Sequence, residues 1–186
     1  ANYFTQLTER LSGNLKIEIT AEAEPIFCQT YPIDILAYDQ WGGLNVLSEM
    51  LAAFITPNHT AISPIIKRAA SILGQWTGNP SLDEYQSRTP DRVRKQMAAI
   101  YTAIAEQQII YSTVPASFEE YGQRVRLADS VMAQKLGTCL DMALLYASCL
   151  EAIGLNALIV ITQGHAFAGA WLVPETFPDP TIDDVS

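Results

Sequence analysis

The chain has 186 residues, of which 49% are hydrophobic and 17% charged, and its net charge is −9. That composition is globular rather than disordered, and the length suits one core of ordinary size or one domain with a smaller appendage. The acidic balance argues against direct nucleic-acid binding, and no apolar run reaches the roughly 20 residues of a membrane span. Three cysteines with no CxxC spacing do not make a disulfide framework, so a reducing cytoplasm is the expected setting. The first ten residues have neither a basic start nor an apolar centre, and no signal peptide is expected there.

Residues 2 to 12 read as a short helix ending at Gly13. Leu15 to Thr20 alternates apolar and polar residues, and Ile26 to Tyr38 holds a second extended stretch. A β-rich section is therefore expected over 1–56, followed by a second domain over 57–186. Leu44, Leu47, Met50, Leu51 and Phe54 have helical spacing. Ser63-Pro64 has the form of an N-cap and first helical residue, for a helix stopping at Gly74. Thr89-Pro90 opens a long helix with Val93, Met97, Ile100, Tyr101 and Ile104 inward, and Ile109 to Ser112 is extended.

Asp129 caps a short helix that breaks at Gly137. Thr138 then caps a helix from Cys139 to Ile153, closed by Gly154. Leu155 to Thr162 and His165 to Val173 are strands joined by a turn at Gln163-Gly164. Elements that are segregated rather than alternating indicate α+β. The arrangement expected is a Cys-bearing helix on an antiparallel sheet, with a helical middle and a β-rich start.

Gly137-Thr138-Cys139-Leu140-Asp141 carries the chemistry. Thr138 and Asp141 have capping-box spacing, with Asp in place of the usual Glu or Gln. Cys139 then stands at the first helical position. Unpaired N–H groups and the helix dipole there favour a thiolate, and cysteines in such settings have pKa values of roughly 3.5–7.5. The same N–H groups suit an oxyanion on an attacked carbonyl. A helix followed by two strands returns His165 to the level of the helix start, where it is the candidate base. His59 lies in a turn, and Cys149 and Cys28 read as core residues. Cys139 and Cys149 are ten residues apart on one helix, about 15 Å, so they cannot share a metal ion and no metal is expected.

These residues resemble the core of the transglutaminase-like superfamily. The likeness lies in Gly-Thr-Cys-Leu-Asp, a helix ending Leu-Glu-Ala-Ile-Gly, an apolar strand, and then Gly-His-Ala-Phe. It covers about residues 123 to 173, and it extends to a transglutaminase-like module of large bacterial helicase-related proteins. The resemblance implies Cys139 as nucleophile, His165 as base and further domains in a longer parent chain. It also implies a third acid on a later strand. Asp179 and Asp183 fall in the right range, but neither opens an apolar stretch, and an acid beyond Ser186 is the favoured expectation. Gln123 is a candidate for completing an oxyanion hole.

The function so implied is cysteine-dependent acyl transfer on a protein or peptide, chiefly amide hydrolysis, with no cofactor. The alternative is an inactive binding or scaffold module of the same fold.

Overall fold

The computed structural model describes residues 4–113 and 122–182. The fold is α+β, and the chain divides into two compact units, Ala1–Trp41 and Gly42–Ser186. The boundary expected at residue 56 falls inside the second unit, just after a short 3-10 helix, Ser48–Phe54. No helix among the described residues is long and apolar enough to cross a membrane.

The first unit is a hairpin of β1 (Leu11–Ala21) and β2 (Glu24–Ile35), antiparallel in register from Leu11↔Ile35 to Ala21↔Glu24. Glu22 and Ala23 form its two-residue turn with φ of 50° and 69°. Positive φ at both turn positions matches the right-handed twist of the strands. Leu11, Leu15, Ile17 and Ile19 share one face with Phe27, Tyr31 and Ile35. Ser12, Lys16 and Glu18 share the other with Cys28, Thr30 and Asp34. The helix expected over 2–12 shrinks to one 3-10 turn, Phe4–Gln6, because residues 11 to 13 are taken by strand pairing. Cys28 is exposed, not core: alternation puts it on the polar face, opposite Glu18. The two-residue strand β3 (Gln40–Trp41) ends this unit.

In the second unit, α1 (Ile62–Thr77) and α2 (Pro90–Ala105) pack together and against α4 (Cys139–Ala152). Ile65, Leu73, Ile100, Leu145, Leu150 and Leu155 are buried in the common core. The strands of this unit are β4 (Ile110–Tyr111), β5 (Gln123–Arg124), β6 (Leu136–Gly137), β7 (Ala157–Thr162) and β8 (His165–Ala170). The short helix α3 (Ala128–Gln134) precedes β6. β4 and β6 are parallel, whereas β7 and β8 are antiparallel from Ala157↔Ala170 to Thr162↔His165.

Four local expectations change. Tyr101, expected inward on α2, is 67% exposed, on the side of the helix away from its buried residues Val93, Ile100 and Ile104. The helix expected over residues 44–54 is reduced to the 3-10 segment, because Leu47 sits at φ 52°, outside the right-handed helical region. The start of α1 is capped at Ala61 rather than Ser63, without a side-chain hydrogen bond. That helix also runs through Gly74 and stops at Gly78, where φ is 73°. Gly74 serves close approach instead: a Cβ there would lie 3.1 Å from Cβ of Pro80.

Candidate functional site

The start of α4 is built as its sequence requires. Thr138 has extended backbone, and its Oγ1 accepts from the Asp141 N–H at 3.2 Å. The Asp141 carboxylate accepts in return from the Thr138 N–H at 2.9 Å. Two orphan donors are thus satisfied by one reciprocal box. Asp141 does more than cap, since it also accepts from the Arg126 N–H at 2.8 Å and from the Arg126 guanidinium at 3.1 Å. Its side chain is fully buried. A carboxylate so placed needs several donors to offset its desolvation, and here it has them. Asp141 is therefore a structural anchor that ties Arg126 to the head of α4.

Cys139 is the first residue of α4 and is partly accessible. Its side-chain neighbour is one the sequence does not point to, Tyr111. The β4–β6 pair aligns Tyr111 with Gly137, two residues before Cys139. The Ile110 N–H donates to Lys135 O and the Ser112 N–H to Gly137 O, both at 2.8 Å. The Tyr111 phenol is raised above its ordinary value by desolvation, then by a hydrogen bond to Cys139, then by the charge on that sulfur. A two-residue parallel bridge leaves no periodic signal, so no sequence pattern could have paired Tyr111 with Cys139.

His165 opens β8. The helix and the returning strand match in length, about 21 Å for fourteen helical residues and about 20 Å for six extended ones. β7 and β8 both pack on α4, and β8 starts at the end to which β7 returns. His165 therefore begins its strand at the Cys139 end of this layer. Its side chain has a different outlook. Ala166 is buried, while His165 and Phe167 are exposed, their rings 6.4 Å apart. Alternation thus puts the imidazole on the face away from Ala166. Among the described residues no hydrogen bond joins it to the Cys139 thiol.

Gln123 lies in β5 and is buried, with no partner for its Oε1 among the described residues. It is three residues from the Arg126 amide that Asp141 holds, so its backbone is within about 10 Å of that anchor point. Asp179 is exposed in an irregular segment, and Asp183 lies outside the described residues. His59 uses Nδ1 to accept from the Ala61 N–H at 3.2 Å, a local bond at the start of α1. Cys149 is buried in the core, and burial pushes its thiol up to about 12. No group of three or more His, Cys, Asp or Glu among the described residues is placed to hold a metal ion.

The geometry offers a partly accessible sulfur at a capped helix start, with the Tyr111 backbone in register two residues before it and the His165 imidazole on the exposed face of β8. No family model, no curated protein and no solved structure matches this chain.

Proposed function

We propose that the second unit performs cysteine-dependent acyl transfer, with amide hydrolysis on a protein or peptide as its reaction. The observation that carries this reading is the position of Cys139, partly accessible at the first residue of a helix whose cap is fully satisfied. In the proposed reaction the sulfur attacks the carbonyl carbon and the C–N bond breaks. The amine leaves with a proton from His165, and water then releases the acid from the thioester. Helix N–H groups would hold the oxyanion, with Gln123 as a further donor. The likeness to transglutaminase-like proteins supports the same assignment of Cys139 and His165. A third acid is not required for the first acylation, although it would fix the orientation of the imidazole.

Incubation of the protein with an activated ester tests this. The expected result is an acyl adduct on the peptide containing Cys139, absent in Cys139→Ala, with turnover slowed in His165→Ala. Adducts forming equally fast on Cys28 and Cys139 would overturn it.

A second reading is supported by the exposed outlook of His165 beside Phe167. On that reading the unit is a binding or scaffold module that keeps the fold without turnover. Stable acylation of Cys139 that never releases product, and is indifferent to His165→Ala, would favour it.

A further inference from the structure

We propose that the outer edge of β8 takes an extended polypeptide as an added strand, so that the substrate of this unit is recognised by its main chain. Its role as substrate rests on the reading of Cys139 as a nucleophile. The register fixes which backbone groups are free. The pairing continues past Ala157↔Ala170 to Asn156 and Trp171, where the Trp171 N–H donates to Asn156 O at 3.1 Å. The Tyr85 hydroxyl fills the other half of that rung, accepting from the Asn156 N–H and donating to Trp171 O, both at 3.0 Å. Bonded pairs alternate along an antiparallel ladder. Phe167 and Gly169 therefore bond to β7, and the N–H and C=O groups of Ala166, Ala168 and Ala170 point outward. On β7 the same rule turns Ala157 outward, and its N–H is capped by Glu151 Oε1 at 2.7 Å.

Among the described residues, nothing pairs with the outward row on β8. The strand has none of the devices that guard an edge: His165–Ala170 contains no lysine, proline or bulge, and its register is unbroken. The row is deepest at Ala166, which is 2% exposed, and rises to Ala168 and Ala170, both half-buried. A backbone N–H and C=O held that deep without partners are destabilising, and a neighbouring strand would satisfy them. The side chains on these residues are single methyl groups, so a second main chain can approach to the strand spacing of about 4.8 Å. What matches such a row is an extended chain, whose own N–H and C=O groups alternate in the same way. Because β8 begins at the Cys139 end of the layer, a strand laid along it runs to that end.

The test is amide hydrogen exchange of the full chain by NMR, with the soluble peptide acetyl-Lys-Thr-Val-Thr-Val-Thr-Lys-amide as probe. At saturating peptide the Ala168 and Ala170 amides should exchange at least about tenfold slower, and those of Phe167 and Gly169, already bonded to β7, less than about threefold slower. Peptides N-methylated on alternate residues should differ, one phase of the alternation binding at least about fivefold more weakly than the other. Ala168→Pro removes an outward N–H and no rung of the β7–β8 ladder, and it should abolish the slowing at Ala170. If that variant does not fold, the two N-methylated peptides decide the matter. Exchange slowed evenly over residues 165–170, or not at all, overturns the proposal. Slowing that grows with protein concentration when no peptide is present assigns the edge to a second copy and overturns it too. Alternating protection in a protein whose Cys139 resists the activated ester would keep the edge as a peptide-binding surface and sink the nucleophile reading alone.

Discussion

The hairpin of the first unit and the helix α4 of the second carry comparable apolar signals and end in opposite surroundings. In the hairpin, Leu15, Ile17, Ile19 and Phe27 line one face and remain 40–51% exposed. In α4, Leu140, Leu144, Leu145 and Leu150 are at most 3% exposed. Periodicity thus states which side of an element is apolar and is silent about what lies against it. A long hairpin with one apolar face is marginal by itself in water, whereas α4 is surrounded by α1, α2, α3 and the β7–β8 pair. The candidate site belongs to the well-packed region, and Asp141 shows how the packing reaches it.

The largest effect is expected at that carboxylate. Asp141→Ala keeps the backbone N–H that donates to Thr138 Oγ1 but removes the carboxylate half of the cap, leaving the Thr138 and Arg126 N–H groups without their acceptor. Breaking a buried, paired charge costs about 3–5 kcal/mol, and urea unfolding should show a loss of that size. A loss below about 1 kcal/mol would mean that the head of α4 is held by something other than Asp141.

Alkaline pH probes the interior of the same helix. Cys149 and Tyr146 are both pushed up to about 12, in each case chiefly by desolvation. An acid whose folded pKa is raised stabilises the fold fully below its unfolded value, and that contribution is lost as pH rises toward the folded value. For the thiol the unfolded value is 9.0 and for the phenol 10.0, so stability should fall between about pH 9 and 12. A difference of one pH unit between the folded and unfolded pKa is worth about 1.4 kcal/mol, so the combined loss is on the order of a few kcal/mol. Thermal melts across that window should be steeper in pH for the unaltered protein than for Cys149→Ala. Equal slopes would place the thiol outside the core.

A smaller change is expected at Gly154. It closes α4 with the Gly154 N–H on Glu151 O and the Leu155 N–H on Leu150 O, which requires φ of 78°. A Cβ there would fall 2.5 Å from Glu84 Cδ. Gly154→Ala should cost about 1–2 kcal/mol from the left-handed backbone, with the Glu84 side chain displaced. No measurable loss on denaturation would show that the turn relaxes.

Much of the second unit was legible because its punctuation is local. Pro90, Thr138, Gly154 and Gly164 each dictate a backbone state whatever surrounds them, and α2, α4 and the β7–β8 turn fall at those residues. Gly74 misled because close approach to Pro80 selects glycine as strongly as a helix end does. Residues 11 to 13 misled because strand pairing with residues 33 to 35 overrides their local preference. At the site, Thr138 and Asp141 announced Cys139 by spacing alone. Tyr111 could not be announced, since a parallel bridge over residues 110–111 and 136–137 is a tertiary fact. Nor could periodicity give the outlook of His165, which depends on which face of β8 meets α4.

The smallest effect returns to the hairpin and sharpens the contrast most. Ile19 is 51% exposed and sits opposite Phe27 next to the register shift at Thr20. Threonine keeps the branched Cβ that suits a strand and replaces a methylene-bearing arm with a hydroxyl. If that face meets water, Ile19→Thr should change stability by no more than about 0.5 kcal/mol. The same kind of truncation in α4, Leu150→Ala, should cost about 2–5 kcal/mol because it opens a cavity. Paired unfolding curves decide the matter. A cost at Ile19 approaching that at Leu150 would mean that the apolar face of the hairpin is covered in solution, and the two regions would then differ in what covers them rather than in whether they are covered.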